Sequence, residues 1–542
     1  MFETTETVFT AFFLSALAPI SSTFREKLPH LYKPKEIIRI AAIIENILDS
    51  SIFVKIIFII LHYKIIANAK RNYNKYIKLL KENFMSSNKI TTVNPHNGEV
   101  IKEYTKHSPN EIERIISTTT KRQIEWARRP FSARAEMFLA VADLLIKRKG
   151  EYAKLMAEEM GKPISQGLAE IEKCAKVCKY YVENSERFLS DKHIETEAKK
   201  SYVTYNPLGI ILGIMPWNFP FWQVFRFAVP TLMAGNAVLL KHSSNVMGCS
   251  LAIEYLLLDA GLPENVLTSL VISGNEAEEL IGNINIAAVS LTGSTEVGRR
   301  VTAVAGKYMK KCVMELGGSD PYMVLKDANI DKAAKICAAA RLVNSGQSCI
   351  AAKRFIVEAD VYEEFLEKFT REIQSYKMGN PLEKDTDIGP QARADLREEL
   401  HSLVVRTLDF GAKLHLGGEI PEGPGFYYPA TIITGAMPGM PIFDQETFGP
   451  VAAVTRAERE DLAISLCNFT NFGLGAAVFT EDLEKAEYLA KNVLNAGTVY
   501  VNGQVKSDPR LPFGGIKESG YGRELSEEGI KEFVNIKTVV VE

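Results

Sequence analysis

From Lys89 onward, the chain alternates short apolar runs with longer stretches of helical spacing. Leu208–Ile214 and Ala237–Leu240 are typical of buried strands, and helical stretches follow each of them. Strands that are spaced by helices favour a parallel α/β sheet, in which ligands bind beyond the carboxyl ends of the strands. Lys241 and Gly293 lie just past the ends of predicted strands, so we expect both at that edge. The pattern predicts an α/β fold with a binding site there.

The same periodicity predicts further helices and strands on either side of this unit. A segment of helical spacing before it should form two helices that break near Gly161, because a Gly-Lys-Pro run interrupts it. The remaining predicted elements are a helix over Ser132–Lys149, strands over Tyr322–Leu325 and Arg354–Val357, helices over Asn329–Ser345 and Val361–Tyr376, and outlying strands over Ser201–Tyr205 and Lys537–Val541. Strands and helices therefore recur in a second α/β unit after Gly317 and Gly318.

Composition excludes several classes of protein. The chain has 542 residues, enough for two or three domains, and its hydrophobic content of 46% is ordinary for a globular protein. A net charge of −2 gives no electrostatic footprint for nucleic acid, so no nucleic-acid partner is expected. The seven cysteines form no CxxC pair, which indicates neither a zinc site nor a disulfide framework. We expect no metal and a cytoplasmic, reducing location.

Residues 1–88 differ from the rest because they are rich in Ile, Lys, Asn and Phe and contain no Gly. Their apolar patches, Val8–Ile20 and Ile52–Leu61, are shorter than the roughly 18 residues of a membrane span. The second patch and the basic run Lys70–Lys81 could bind a membrane surface, so membrane contact is expected only through this extension. The alternative is a dispensable segment, with the folded protein beginning at Met85.

Three polar groups offer a set of chemical functions. Cys349 supplies a thiol, Glu315 a carboxylate and Asn218 a carboxamide, each in a stretch rich in Gly, Pro or small residues. Such groups can attack a carbonyl, activate a water and hold an oxyanion, respectively. Taken singly, each has an ordinary explanation: a buried cysteine, a solvated carboxylate and a turn residue. Their occurrence together favours catalysis.

The chain resembles the aldehyde dehydrogenase superfamily from about Lys89 to Glu542. The resemblance implies a Rossmann-type cofactor domain over 89–317 with a bridging strand near 198–206, a catalytic domain over 318–515 and a C-terminal bridging segment over 516–542. It also implies a homodimer or homotetramer, held by a small bridging sheet. The motifs that carry it are PWNFP, GNAVLLK, LTGSTEVG, MELGG, NSGQSC, ETFGPV and PFGGIKESGYGRE. Within the superfamily, the chain looks like the short succinate-semialdehyde dehydrogenases.

A nicotinamide cofactor, NAD or NADP, follows from this resemblance. Gly293 and Ser294 would face its pyrophosphate, although a Gly-Ser-Thr turn is also an ordinary helix cap. Glu446 would hold the nicotinamide ribose, with Trp217 beside that ribose and Phe448 against the cofactor.

The adenosine end of the site departs from the pattern of NAD-specific relatives. Lys241 would bind ribose hydroxyls or a 2′-phosphate, or it is a solvated surface lysine. NAD-specific relatives carry a Glu three residues after this Lys, where Ser244 stands in this chain. Losing that carboxylate removes repulsion against a 2′-phosphate. NADP therefore becomes acceptable, and NAD is not excluded.

The resemblance implies oxidation of an aldehyde through a thioester on Cys349, which Glu315 then helps water to hydrolyse. One alternative is an aldehyde dehydrogenase that passes the acyl group to coenzyme A, although such relatives usually lack this Glu. Another is a non-catalytic protein that keeps the fold. For the substrate, Arg226 is expected to grip a carboxylate or else to pair with a nearby acid. Gln223, and Ser507 or Arg510, would add contacts.

Overall fold

The computed structural model describes residues 88–542, so the predictions for residues 1–87 lie outside the described residues. Within the described part no helix is long and apolar enough to cross a membrane. Its α-helices, numbered in chain order, are α1 (Pro109–Ala127), α2 (Phe131–Lys147), α3 (Lys149–Met160), α4 (Ile164–Phe188), α5 (Trp222–Met233), α6 (Met247–Asp259), α7 (Gly274–Leu280), α8 (Thr295–Lys307), α9 (Ile330–Leu342), α10 (Tyr362–Gln374), α11 (Ala394–Asp409), α12 (Pro441–Asp444), α13 (Glu460–Asn468), α14 (Leu483–Asn492) and α15 (Ser526–Lys531).

The strands fall into four sheets. They are β1 (Lys89–Val93), β2 (Val100–Thr105), β3 (Lys192–His193), β4 (Lys200–Pro207), β5 (Ile210–Met215), β6 (Ala237–His242), β7 (Leu267–Ser269), β8 (Ile286–Thr292), β9 (Lys311–Glu315), β10 (Pro321–Val324), β11 (Arg354–Glu358), β12 (Lys413–Leu416), β13 (Thr431–Thr434), β14 (Val451–Ala457), β15 (Gly475–Phe479), β16 (Thr498–Val501), β17 (Gly520–Tyr521) and β18 (Val534–Val541).

A six-stranded sheet has the order β17-β9-β8-β5-β6-β7 and is parallel except for β17. The chain runs from β5 outward through β6 and β7, then returns to β8 and β9 on the other side of β5. Strand order therefore reverses between β5 and β8, where an open parallel sheet leaves a crevice at its carboxyl edge. Burial of β5 along its whole length explains its continuous apolar sequence.

A seven-stranded sheet forms the second α/β unit, in the order β12-β13-β14-β11-β10-β15-β16. It is parallel except for the edge strand β12. Tyr322, Phe355 and Phe479 pack against one another across its central strands, with ring centroids about 6 Å apart. The predicted α/β architecture with two parallel-sheet units is thus confirmed.

The two outlying strands pair in a small antiparallel sheet of order β18-β4-β3. Tyr205 lies opposite Ile536, and Lys200 lies opposite Val541. The pairing implied by the resemblance is confirmed, whereas the domain boundaries given above stay predictions. The C-terminal segment also supplies β17 to the six-stranded sheet, so it contributes to more than one sheet. The remaining strands, β1 and β2, form a hairpin.

The predicted break between α3 and α4 lies at Gly161. This residue has φ of +77°, a left-handed conformation that costs glycine little, and it ends α3. Helix α4 then packs on α2, α3 and α5 around a core that includes Trp126, Phe138 and Tyr181. Since α5 directly follows the loop after β5, this packing places α4 beside the crevice of the six-stranded sheet.

Candidate active site

A cavity of about 280 Å³ lies at the carboxyl edge of the six-stranded sheet. Lining residues come from the segments that directly follow β5 and β8, the two strands between which strand order reverses. Others come from the segment that follows β9. The cavity is lined by Pro216, Trp217, Asn218, Gln223, Thr292, Gly293, Ser294, Leu316, Gly317, Cys349, Leu396, Glu399, Glu446 and Phe448. Most of the predicted site residues are therefore brought together at one place.

Cys349 is the only cysteine of the described residues that is not fully buried. Helix α9 ends at Leu342, and the backbone then takes left-handed φ values at Asn344 (52°), Ser345 (56°) and Gly346 (74°). These values are uncommon for residues other than glycine, and here they turn the chain so that Cys349 lines the cavity. The helix predicted to reach Ser345 is thus shorter, because this turn replaces its last residues.

Burial raises the pKa of the Cys349 thiol to about 12, while the nearby Arg226 and Lys353 charges oppose that rise. The Lys353 ammonium donates hydrogen bonds to the carbonyl oxygens of Ser348, at 3.0 Å, and of Cys349. It also lies 3.7 Å from the Glu446 carboxylate. A cation is therefore bonded to the backbone of Cys349 itself, and the thiol must still lose its proton to become a thiolate.

Asn218 is fixed by contacts with the segment that carries Cys349. Its Nδ2 donates to the Gln347 carbonyl at 3.1 Å, and Asn344 Nδ2 donates to the Asn218 carbonyl at 2.7 Å. The side-chain oxygen of Asn218 is buried and accepts no hydrogen bond from the described residues. These two hydrogen bonds hold Asn218 against the segment that carries Cys349.

The sequence reasoning missed a buried carboxylate, Glu170, that holds the start of α5 directly after the loop that carries Asn218. Glu170 of α4 accepts the backbone N–H groups of Phe221 and Trp222, each at 2.9 Å, at the start of α5. Its other oxygen pairs with the ammonium of Lys162, and both side chains are almost fully buried. Helix α5 has no side-chain cap of its own, so Glu170 satisfies its first N–H groups. No local sequence signal marks this role, because the partners belong to different helices.

Glu315 is the last residue of β9 and is almost fully buried. Burial raises the pKa of its carboxyl well above the ordinary value; Arg226 opposes the rise, and Glu524 adds to it. Neither carboxylate oxygen has a hydrogen-bond partner among residues 88–542. The side chain does not line the cavity, but Leu316 and Gly317, which follow it, do. It is therefore a proton-accepting group in a dry position beside the cavity.

Other residues of the cavity lining have features that suit a dinucleotide. Gly293 and Ser294 line the cavity directly before α8, and the Ser294 hydroxyl caps that helix by accepting from Val297 N–H at 3.4 Å. A helix N-terminus presents backbone N–H groups that favour an anion. Glu446 accepts the Gly318 N–H at 3.0 Å and lines the same cavity. A Cβ on Gly317 would lie 2.4 Å from Glu446, so only glycine leaves room for that carboxylate.

Two aromatic side chains of the cavity lining contact each other. The Trp217 and Phe448 rings contact edge to face, with centroids 5.6 Å apart. Lys241 is the next-to-last residue of β6 and is not part of this cavity lining, and burial lowers the pKa of its ammonium. No carboxylate lies within ion-pair distance of Lys241 in residues 88–542, and Ser244 is exposed nearby. The predicted adenosine-end residues therefore sit apart from the other cavity residues.

Of the predicted substrate residues, Gln223 lines the cavity and Arg226 does not. Gln223 lines the cavity, and its buried side-chain oxygen has no partner in the described part of the chain. Arg226 is buried outside the cavity lining, pairs with Glu524 and lies with its guanidinium 4.8 Å from the Phe513 ring centroid. This geometry favours the local ion pair over the carboxylate grip, because a guanidinium held by a buried acid is already neutralised.

The two residues predicted from the loop before PFGG, Ser507 and Arg510, differ in their exposure and in their partners. Arg510 pairs with Asp508 at 2.7 Å and is largely exposed, so it does not point to the cavity. Ser507 is buried, and its hydroxyl accepts a hydrogen bond from Lys173 of α4 at 2.7 Å. Lys173 is a second residue that the sequence reasoning missed. Lysines recur every third residue on this part of α4, and nothing local distinguishes the one that contacts Ser507.

A thiol, an oriented carboxamide and a buried carboxylate at the edge of a parallel sheet define a nucleophilic site for carbonyl chemistry. The chain belongs to the aldehyde dehydrogenase family, whose profile matches residues 84–539. The predicted family and the predicted aldehyde-oxidising class of enzyme are confirmed.

Curated relatives narrow the resemblance. The chain is 46% identical over 450 residues to a probable succinate-semialdehyde dehydrogenase (NADP+) of Synechocystis sp., covering 83% of this chain and 99% of that protein. It is 43% identical over 448 residues to succinate semialdehyde dehydrogenase (NAD(P)+) Sad of Escherichia coli, covering 83% and 97%. A solved structure of succinic semialdehyde dehydrogenase from Streptococcus pyogenes, in complex with NADP+, superposes with a TM-score of 0.82 at 34% identity, covering 83% and 99%.

Proposed function

We propose that this enzyme oxidises succinate semialdehyde to succinate with NADP as hydride acceptor, and that it accepts NAD less well. The observation that carries the reaction class is that Cys349 and Asn218 line the same cavity as Glu446 and the residues directly before α8. The succinate-semialdehyde dehydrogenases among the relatives support the substrate.

The first step is attack of the Cys349 sulfur on the aldehyde carbon. The Asn218 amide and the Cys349 backbone N–H would donate hydrogen bonds to the oxyanion that forms. Because burial raises the thiol pKa, the thiol must release its proton to solvent before attack, and the Arg226 and Lys353 charges favour the thiolate. Glu315, with its raised pKa and unbonded oxygens, is kept for the later step that needs a base for water.

The cofactor supplies the hydride acceptor when it is bound. Gly293, Ser294 and the N-terminus of α8 would hold its pyrophosphate, and Glu446 would bind the nicotinamide ribose. Lys241 and Ser244 would face a 2′-phosphate, since a cation and a neutral hydroxyl both tolerate that charge. The rings of Trp217 and Phe448 would exclude water from the reacting end.

Hydride loss leaves a thioester on Cys349, which water must hydrolyse. Glu315 would deprotonate that water, and the Cys349 thiolate would then leave, stabilised by the Lys353 ammonium behind it. This role for Glu315 separates the proposal from acyl transfer to coenzyme A. An acyl-transferring enzyme needs no base for water and would keep a path for a thiol nucleophile instead.

The test is a kinetic comparison of succinate semialdehyde and butanal, each with NAD or NADP, with and without coenzyme A. The proposal predicts the highest kcat/KM for succinate semialdehyde with NADP, no dependence on coenzyme A, and succinate as product. Cys349→Ala should lower kcat by at least about 10³-fold, while cofactor still binds. Formation of an acyl-coenzyme A product, or turnover of the Ala variant, would reject the mechanism.

A further inference from the structure

His242 lies where two loops at the carboxyl edge of the six-stranded sheet meet. It is the last residue of β6 and lies opposite Met215, the last residue of the neighbouring strand β5. The loop after β5 carries Asn218, and the loop after β6 carries Ser244. The side chain of His242 is fully buried and does not line the cavity, so it can act only through the residues that it contacts.

The imidazole ring forms one hydrogen bond with each loop. Nε2 lies 2.9 Å from the carbonyl oxygen of Pro220, which follows Asn218 closely in the chain. Nδ1 accepts the backbone N–H of Ser243 at 2.9 Å, directly before Ser244. A carbonyl can only accept and a backbone N–H can only donate, so Nε2 carries the ring proton and Nδ1 does not. The two contacts therefore fix one neutral tautomer of His242.

This neutral tautomer is the stable form at neutral pH. Burial lowers the pKa of His242 to about 4, and the Lys241 charge lowers it as well, whereas backbone hydrogen bonds with Pro220 and Met215 oppose the shift. A protonated ring would present an N–H to the N–H of Ser243 and would lose that bond. Both hydrogen bonds are thus kept together at neutral pH.

Buried carboxylates fix the far end of each loop separately. Glu159 of α3 accepts the N–H groups of Gly248 and Cys249 at the start of α6, at 2.8 and 2.9 Å. Glu170 has the same role at the start of α5. Each of these carboxylates is bonded to one loop only, whereas His242 is bonded to both.

We propose that His242 is a positioning residue that places both loops: its Nδ1 contact places Ser244 for the adenosine end of the cofactor, and its Nε2 contact places Asn218 for the oxyanion. The inference rests on the proposed function, which assigns those roles to Ser244 and Asn218. Because a small displacement of a catalytic or binding group lowers the rate or the affinity strongly, each hydrogen bond controls a different kinetic quantity. The Nδ1 bond controls cofactor affinity, and the Nε2 bond controls the rate of the chemical step.

The experiment separates the two contacts with His242→Asn and His242→Gln. The asparagine side chain places an oxygen near the position of Nδ1, and it is too short to reach Pro220. The glutamine side chain places its amide nitrogen near the position of Nε2, and it has no acceptor beside Ser243. For each variant, the Kd of NADP is measured without aldehyde by titration of the intrinsic fluorescence. The kcat for butanal at saturating NADP and the melting temperature are measured on the same preparation.

The two variants should change different quantities. His242→Asn should lower kcat by about tenfold and leave the Kd of NADP unchanged, as loss of one hydrogen bond to the Asn218 loop requires. His242→Gln should raise the Kd of NADP by about tenfold and leave kcat at saturating NADP close to that of the wild type. Both variants remove the same imidazole ring, so each is the matched control for the other.

Ser243→Pro tests the Nδ1 contact without changing the histidine. Ser243 has φ of −59°, a value that proline adopts, and the residue before it ends a strand, as the residue before a proline prefers. Proline removes the N–H that Nδ1 accepts. The Kd of NADP should therefore rise as in His242→Gln, and this variant replaces His242→Gln if the latter does not fold.

Two outcomes would overturn the inference. One is a set of equal changes in kcat and Kd in His242→Asn and His242→Gln with equal falls in melting temperature, because the ring would then only fill space. The other is an unchanged Kd in both His242→Gln and Ser243→Pro. Failure of the proposed function is distinguishable, because the wild type would then not prefer succinate semialdehyde over butanal. The comparison of variants uses butanal alone, so it does not depend on that preference.

Discussion

At the scale of single residues, the separate roles of Cys349 as nucleophile and Glu315 as base for water can be tested by substitution. Glu315→Gln keeps the shape of the side chain and removes its basicity. We expect thioester hydrolysis to slow more than hydride transfer, since only hydrolysis needs a base for water. Mixing enzyme, aldehyde and NADP should give a burst of reduced cofactor close to one per active site, followed by slow turnover. Steady-state rates equal to the wild type would remove Glu315 from the mechanism.

The raised pKa values give the reaction a definite pH dependence. Cys349 and Glu315 act in their deprotonated forms, and burial raises the pKa of both groups. Each group is protonated and inactive below its pKa, so kcat/KM for butanal should rise with pH by up to about tenfold per pH unit. A rate that falls from neutral to alkaline pH, with enzyme that stays folded, would contradict this assignment.

At the scale of elements, the position of α5 depends on the buried Glu170. Glu170→Gln leaves Lys162 as an uncompensated buried charge and weakens the bonds to the first N–H groups of α5. Breaking one partner of a buried ion pair costs about 3–5 kcal/mol of unfolding free energy. Because α5 follows the Asn218 loop, kcat should fall as well. Chemical denaturation and kinetics on the same preparation test both effects.

The matched control is Glu172→Gln on the same helix. Glu172 pairs with Lys149 at 2.7 Å, but both side chains are more than 40% exposed. An exposed pair of this kind contributes less than about 1 kcal/mol. Equal stability losses in Glu170→Gln and Glu172→Gln would show that burial of the Glu170 pair has no special role.

The elements also show what the sequence could and could not predict. Strands β5, β6 and β8, and the break at Gly161, follow from local apolar runs and turn residues, and they were predicted within a few positions. The end of α9 was not, because Asn344 is held by distant partners: Gln166 Oε1 accepts its backbone N–H at 2.7 Å. Local patterns contain no information about such partners.

The same reason limits what the sequence could predict of the site. Cavity residues that lie inside continuous motifs, such as Asn218 and Cys349, are found from sequence because neighbouring residues form the turn that positions them. Arg226 was expected to bind a carboxylate or pair with a nearby acid, but its partner Glu524 lies far along the chain, so this pair could not be foreseen. Lys173 and Ser507 meet only when α4 packs beside the C-terminal loop. Charge pairing is a tertiary property that periodicity does not predict.

At the scale of the whole molecule, the family match begins at residue 84, and Asn88–Glu542 form a compact unit by themselves. We therefore predict that a chain beginning at Met85 is soluble and oxidises aldehyde with the kcat/KM of the full chain. A chain beginning at Glu99 is the control, because it also deletes β1, whose Ile90 is buried. That control should melt at a lower temperature. An inactive or insoluble Met85 chain would assign a structural role to residues 1–84.

The small sheet gives the last prediction, which concerns self-association. Strand β18 is the edge of that sheet, and its Ile536 and Val540 are 61% and 52% exposed. An exposed apolar edge strand is a ready site for pairing with another chain, and the family resemblance implies a dimer or tetramer. The double variant Ile536→Glu and Val540→Glu places like charges on one face of β18, so association should be lost. Light scattering should report a smaller mass for this variant, whereas Leu483→Glu, an equally exposed leucine on α14, should leave the mass unchanged. An unchanged mass in the double variant would move the interface away from β18.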